Sequence, residues 1–506
     1  MATATEVRAI TLNRQNLKAI SEHVSVPNFL DKDLSGGIVH FGMGNFHRSH
    51  QARYIHRLLE QGLAYDWCIV GAGVLPVEIP AYEKMTKQDY LYTLLEQSTS
   101  NTNAVIVGSI VDFIKPTDSK AVIEKLSDPS IKIVTTTITK GGYLLNPKSG
   151  EFDPTHPVVA ADAPRCAKDS EELPKTVFGL ITCALRARRE NGVPPFTVLS
   201  CDNMPENGEA TRRAAIGISG MCDPELSKWM SENVSFPNCM VDRITPVTTD
   251  AERARVRKMC NVIDEVPVAS ESHAQWVIED KFTMGRPPLE KVGVQFVDDV
   301  APFERMKMRI LNGAHATLCF PCGLLGLEYV HDALADTDVR NFIIKVERED
   351  IVPVVGDVPG IDIEHYMDVV IDRLGNPATG DRAERLCSDG SNRQTKYIIN
   401  TAIDNIEAGH TPEGMALVSA MWCRYYYGET ESGKKVTPQD SMWDHLHETA
   451  KQAKDKPSVW LTENKKLYGE LADSEAFCEA FSKWLEILWS DGTRKALRTY
   501  VEQYSC

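Results

Sequence analysis

The chain lacks any apolar run long enough to span a bilayer; the stretch Leu318–Leu327 is short and broken by Gly323 and Gly326. It also lacks an excess of positive charge. Its formal net charge is −16 and its pI about 5.4, which argues against nucleic acid or an anionic membrane as partner, since both demand clustered cations. An acidic protein still admits an anionic cofactor, because glycine turns and helix N-termini can build a local site. The first eighteen residues carry charges and no apolar core, so no secretory signal is expected. The terminal Tyr504-Ser505-Cys506 is no prenylation box, because its cysteine comes last. No internal repeat or low-complexity segment is visible. These absences lead us to expect a cytoplasmic protein; its expected partner is a small molecule and its expected state a monomer.

The 13 cysteines are odd in number and scattered, the pattern of reduced, buried thiols rather than of a disulfide framework. Cys319 and Cys322 have the C-x-x-C spacing, but no second pair lies nearby, which speaks against structural zinc and leaves packing or a redox pair. With no cysteine–histidine ligand set evident, no metal is expected.

A length of 506 residues exceeds one ordinary core and predicts two domains. Apolar runs at Ile38–Phe41, Trp67–Val70, Ala104–Val107, Val111–Ile114, Ile131–Thr139 and Pro195–Cys201 read as strands separated by helical stretches, one of them Ser49–Gln61. That alternation predicts an α/β fold with a mostly parallel, doubly wound sheet. Beyond residue 300, Glu304–Cys319, Asp338–Asp350, Ile363–Leu374, Thr395–Glu407, Glu413–Tyr427 and Glu475–Leu488 read as helices with apolar faces. The expected organisation is a Rossmann-type dinucleotide-binding domain over 1–295 and a mostly α-helical substrate and catalytic domain over 296–506, although 205–300 is ambiguous.

After the first strand comes Gly42-Met43-Gly44-Asn45-Phe46-His47. Strand, glycine turn and helix form the context of a dinucleotide fingerprint, whose glycines permit a tight turn and close approach of a pyrophosphate. His47 replaces the third glycine, and an ordinary βα turn is the alternative reading. Gly42, Gly44, Asn45 and Phe46 are the candidate cofactor contacts. Glu78, in the loop after the second strand, is the candidate ribose acid; it would accept from the 2′-hydroxyl of NAD and repel the 2′-phosphate of NADP. A merely solvated carboxylate is the alternative.

On a helix at about 100° per residue, Glu304, Lys307, Asn312 and His315 share an arc of roughly 140°. That face offers a base, an amide donor and an imidazole; the competing reading is a solvated polar face. Asn203, in Ser200-Cys201-Asp202-Asn203, follows a strand directly, where open α/β sheets bind ligands, or else it makes an Asx turn.

With these fragments in place, nearly the whole chain resembles the polyol-specific long-chain mannitol dehydrogenase family. The resemblance rests on GMGNFHRSH, Gln88-Asp89-Tyr90-Leu91-Tyr92-Thr93, TITKGGY, SCDNMPENG, QWVIED, KMRILNGAH, and Val241-Asp242-Arg243-Ile244-Thr245-Pro246 preceded by Phe236 and Cys239. It implies that Lys307 is a general base, that Asn203 and Asn312 steady a developing alkoxide, and that His315 bonds the reacting oxygen. It implies further that Asp242, Arg385 and Arg393 contact the polyol and that Glu304 gates proton passage. Two positions depart from the family pattern: Lys140 stands where relatives usually carry Glu, and Arg393 where they usually carry Lys. The implied activity is metal-independent, NAD-dependent oxidation of D-mannitol to D-fructose and its reversal. A free lysine titrates near 10.4, and burial beside a positive nicotinamide would lower that value toward working pH. The alternatives are oxidation of D-arabinitol or sorbitol, reduction of a keto-uronate held by Arg385 and Arg393, and, from another class, a catalytically silent dinucleotide sensor.

Overall fold

The computed structural model describes residues 9–146, 149–437 and 439–503, so Tyr504-Ser505-Cys506 and the first eight residues lie outside the described residues. The chain divides into two compact units, Met1–Ala301 and Pro302–Cys506.

In the first unit the strands of three residues or more are β1 (Gly36–Phe41), β2 (Cys68–Ala72), β3 (Tyr92–Gln97), β4 (Thr102–Val107), β5 (Ile110–Phe113), β6 (Ile133–Thr136), β7 (Thr197–Ser200), β8 (Cys239–Asp242), β9 (Val268–Glu271), β10 (Gln275–Glu279) and β11 (Gln295–Val297). A parallel sheet runs in the order β5-β2-β1-β6-β7. Every residue of β1, β2, β6 and β7 is buried, which is why these strands read as continuous apolar runs rather than alternating ones. The register pairs Phe41 with Ala72 and with Thr136, and Thr136 with Ser200, so these four strands end level. The strand order reverses at β1, and the crevice between the ends of β1 and β6 is a topological switch point.

Three details differ from the sequence expectation. The helix expected over Ser49–Gln61 is two, α1 (Asn45–Ser49) and α2 (Gln51–Glu60), broken at His50 with φ −109° and ψ −88°. The strand expected over Ile131–Thr139 stops at Thr136, because Thr139 takes a φ of 61° and opens the short helix Thr139–Gly142. Two further mixed sheets, β9-β3-β4 and β11-β10-β8, accompany the parallel one. Pairings such as Val268 with Leu94 join distant segments and leave no local signature. Helices α3 (Val177–Glu190) and α4 (Asn207–Cys222) also belong to this unit. Thr176 caps α3 by accepting from the Gly179 N–H at 3.1 Å.

The second unit holds most of α5 (Ala301–Leu325), then α6 (Thr337–Val346), α7 (Ile363–Leu374), α8 (Asn400–Glu407), α9 (Glu413–Tyr426) and α10 (Glu475–Ser490). Among the described residues it has no strand, only two isolated bridges. Trp422, Trp460 and Trp484 are fully buried in its core, and Trp484 Nε1–H donates to Glu413 Oε2 at 2.8 Å, pinning α10 to α9. The helices expected over Asp338–Asp350 and Thr395–Glu407 each contain a π turn, at Glu347–Ile351 and Thr395–Ile399. No helix among the described residues is long and apolar enough to cross a membrane. Their cysteines are all free thiols; Cys319 and Cys322 are buried along α5, and the Cys387 thiol donates to the Cys319 carbonyl at 3.1 Å.

Candidate active site

In the first unit the chemistry gathers where β1 and β6 end. Gly42 leaves β1 with φ 99°, and a Cβ there would lie 2.2 Å from the Thr137 carbonyl oxygen, so only glycine permits this approach. Gly44 is exposed, and a Cβ on it would meet nothing within 4 Å: the space above the second glycine is open, as close approach of a ligand requires. His40, at the end of β1, joins the two strands: its Nδ1 bonds Thr135 Oγ1 at 2.7 Å and its Nε2 bonds Thr137 Oγ1 at 2.9 Å. Burial pushes its pKa down to about 3, so it is a neutral scaffold group. His47, standing where the fingerprint has its third glycine, stacks on His40 with ring centroids 3.4 Å apart. Helix and strand therefore pack through two flat rings instead of through a bare backbone.

Asn45 and Phe46 are turned toward the protein. Asn45 Nδ2–H donates to Pro246 O at 3.1 Å and to Thr248 Oγ1 at 2.9 Å, and Phe46 stacks on His50 at 5.0 Å. Glu78 is neither at the strand end nor merely solvated. Its carboxylate accepts from the Val74 and Leu75 N–H groups at 2.9 and 2.8 Å, and burial raises its pKa. Gly42, Gly73, Glu78 and Thr137 together line a cavity of about 800 Å³, whose lining also includes Asp162, Arg165 and Thr176.

Beyond β7, Asn203 is exposed, while the turn around it is built by its neighbours. Asp202 accepts from the Ile138 and Thr139 N–H groups at 3.0 and 2.9 Å and from Tyr143 Oη–H at 2.6 Å, tying TITKGGY to SCDNMPENG. Asn207 bonds both the carbonyl and the N–H of Cys239, at 2.7 and 2.9 Å, which fixes β8. Asp242 ends β8 in a buried position, with His273 Nε2 at 3.6 Å from its carboxylate. Arg243 beside it is a scaffold residue, donating to Ser49 O, Glu271 O and Glu96. Lys140 is exposed on its short helix.

In the second unit the polar arc of α5 is not a solvated face. Lys307 is 3% exposed and Glu304 8%, and lysine and glutamate are rarely so buried. The remaining charged groups of the helix have other duties. Arg305 Nε–H donates to Val355 O at 2.6 Å, and Arg309 bonds Thr401 and Asp404 on α8, anchoring α5. Asn312 is half-buried, with Nδ2 3.1 Å from Met308 Sδ. His315 faces Asp381, whose Oδ2 lies 3.9 Å from its Nε2, and Asp381 in turn grips Arg385 through two bonds of 2.9 and 2.7 Å. Burial, with Arg385, Arg393 and Arg373 nearby, pushes the His315 pKa down to about 4 against the pull of Asp381, so the ring is neutral at neutral pH. Asp381 and Arg373 were missed in the sequence reading. Only the four-residue spacing from Asp381 to Arg385 could have marked the first.

Family comparison agrees with this architecture. The mannitol dehydrogenase Rossmann-domain model matches residues 36–291, and the mannitol dehydrogenase C-terminal-domain model matches residues 299–489. The chain belongs to the mannitol dehydrogenase family. The mannitol 2-dehydrogenase of Cereibacter sphaeroides is 45% identical over 483 residues, which is 95% of this chain and 100% of that protein. Among solved structures, Pseudomonas fluorescens mannitol 2-dehydrogenase in a ternary complex with NAD and D-mannitol has a TM-score of 0.83 at 38% identity, covering 98% of this chain and 100% of that one. A D-sorbitol dehydrogenase in substrate-free form has a TM-score of 0.88 at 35% identity, covering 96% of this chain and 100% of that one. Several motifs that carry the family likeness here serve as scaffold. Gln88 Nε2–H and the Thr93 N–H both hold the buried Asp264, at 2.9 and 2.6 Å, and Tyr92 Oη–H donates to Arg48 O at 2.6 Å.

Proposed function

We propose that this member of the mannitol dehydrogenase family catalyses the NAD-dependent oxidation of D-mannitol to D-fructose and the reverse reduction. The observation that carries this reading is full-length likeness, in both units, to mannitol 2-dehydrogenases, one of them captured with NAD and D-mannitol. The glycine turn, the open space above Gly44 and the cavity lined by Glu78 fit a dinucleotide. When bound, NAD supplies the acceptor for the hydride leaving the carbinol carbon.

The chain's own residues then manage the proton and the oxygen. Lys307, unprotonated, takes the hydroxyl proton as the hydride departs; its burial on α5 supports this role over that of a surface lysine. Asn203 and Asn312 donate hydrogen bonds to the oxygen as negative charge develops, without bringing a charge that would itself need neutralising. His315 is neutral and so donates to that oxygen as an uncharged imidazole. Asp242, Arg385 and Arg393 contact the remaining hydroxyls, and Glu304, next to Lys307 on the arc, passes the proton outward. No step in this scheme calls for a metal ion, so prolonged chelation should leave the rate unchanged; loss of activity restored only by zinc would contradict it. The free thiols of the described residues fit a reducing compartment such as the cytoplasm.

Sorbitol oxidation is the second reading, favoured by the D-sorbitol dehydrogenase neighbour. The keto-uronate reading loses support, because Asp381 already neutralises Arg385, half of the proposed carboxylate clamp. NADH formation with D-mannitol, sorbitol, D-arabinitol and xylitol separates these alternatives. The expected order puts D-mannitol first in kcat/KM, and a higher value for another polyol would displace it.

A further inference from the structure

In the second unit one carboxylate stands beside both the imidazole and an arginine proposed to meet the substrate. Asp381 lies in the loop before the short helix Ala383–Cys387. Its backbone is fixed on both sides: the Val330 N–H donates to Asp381 O at 2.9 Å, and the Ala383 N–H donates to Glu328 O at 3.0 Å. The loop therefore delivers the Asp381 side chain to one place. There Oδ1 accepts from Arg385 Nε–H at 2.9 Å and Oδ2 from Arg385 Nη2–H at 2.7 Å, the two-pronged, side-on pairing of a guanidinium with a carboxylate. His315 Nε2 is 3.9 Å from the same Oδ2, beyond hydrogen-bond reach, so the carboxylate is committed to Arg385.

The pair is unequal in exposure. The Asp381 side chain is 10% exposed and that of Arg385 56%, so the acceptor is sealed beneath and the donor faces out. A guanidinium carries five N–H groups, two of which are engaged here, leaving three. A sugar hydroxyl needs only such a donor. A carboxylate also needs an unbalanced positive charge, and the charge of Arg385 is already matched by the carboxylate held against it. Arg393, on the short helix Gly390–Gln394, is held near His315: the neighbouring Gln394 Nε2–H donates to Ala316 O at 3.1 Å. Arg393 is half-buried and makes no hydrogen bond or ion pair among the described residues. Both arginines lie close enough to His315 to bear on its charge. Asp381 is thus what keeps the two from acting together as a clamp for an anion.

We propose that Asp381 is a positioning residue that sets the substrate class: by holding Arg385 in a neutral pair, it admits uncharged polyols and ketoses and turns away sugars that end in a carboxylate. The proposal rests on the reading above, in which Arg385 and Arg393 contact the substrate's hydroxyls. Selection of this kind works through an element placed against the wrong ligand rather than through an added contact to the right one. A sugar carboxylate brought to Arg385 meets a guanidinium without net charge to offer and a second carboxylate directly behind it.

The test follows NADH consumption by full-length protein with D-fructose and with D-fructuronate, which carries a carboxylate in place of the hydroxymethyl group farthest from the ketone. Both are reduced at the ketone by the same hydride and proton. The ratio of their kcat/KM values within one preparation does not depend on how much of the protein is folded. Wild type should favour D-fructose. Asp381→Asn, or Asp381→Ser where the first folds poorly, should raise the ratio of D-fructuronate to D-fructose at least about tenfold. The gain should come mostly as a lower KM for D-fructuronate, because a contact remote from the reacting carbon binds ground and transition states alike. Asp381→Glu keeps the charge and should hold the ratio near that of wild type. Adding Arg385→Ala to Asp381→Asn should cancel the gain. An unmoved ratio in the neutral variants, a gain that survives loss of Arg385, or a wild type that already prefers D-fructuronate would overturn the proposal. A wild type unable to reduce D-fructose would overturn the polyol reading itself, and the proposal with it.

Discussion

At the scale of single residues, helical spacing shows which groups share a face but not which groups they meet. Lys307, Asn312 and His315 fall on one helical arc that periodicity alone reveals, and the structure adds that Lys307 is buried there. The grip of Asp381 on Arg385 depends on a loop and a short helix whose side-chain directions no local pattern fixes. Glu78 shows the same limit. Its type and place suggested a ribose acid, yet its carboxylate also caps its own turn through Val74 and Leu75. The two roles make different predictions. A ribose acid predicts that wild type favours NAD and that Glu78→Lys raises the ratio of NADP to NAD in kcat/KM. A turn cap alone predicts lower stability, by about 1–3 kcal/mol, with that ratio unmoved. Measuring both cofactors on wild type and variant decides, and a wild type that already prefers NADP would contradict the ribose role.

At the scale of elements, most helices and the parallel strands were legible because their apolar runs are local. The mixed sheets were not, since β3 finds β9 across more than half of the first unit. The π turns were equally hidden. The one at Glu347–Ile351 carries two buried carboxyls, Glu347 and Asp350, on a segment that reads from sequence as plain helix. Burial, with Glu349 and Glu413 nearby, raises Asp350 from 3.8 to about 7, even though its carboxylate accepts from the Met415 N–H at 2.9 Å. A group whose pKa is higher folded than unfolded lends its stability in full below the unfolded value and loses it as pH rises through the folded one. Asp350 therefore favours the fold in acid and burdens it above pH 7. Asp350→Asn, neutral throughout, should shift Tm more favourably at pH 8 than at pH 5 when the two proteins are compared by calorimetry. An equal shift at both pH values would show that Asp350 does not titrate in this window.

At the scale of the whole molecule, the residues proposed for the reaction are found on both units of the chain. The glycine turn, Asn203 and Asp242 belong to Met1–Ala301, whereas Lys307, Asn312, His315, Arg385 and Arg393 belong to Pro302–Cys506. That division was visible as a change from α/β alternation to helix after helix, and two domain models of one family match it in order. It predicts that losing the base abolishes turnover and spares cofactor binding. The most direct measurement is the pH–rate profile of D-mannitol oxidation at saturating NAD for wild type and Lys307→Ala, with NADH binding measured on both. Wild-type turnover should rise with pH as the ammonium gives up its proton. The variant should lose about 10²–10⁴-fold in turnover along with that rise, and still bind NADH normally. Turnover near wild type in Lys307→Ala, with an unaltered profile, would contradict the account.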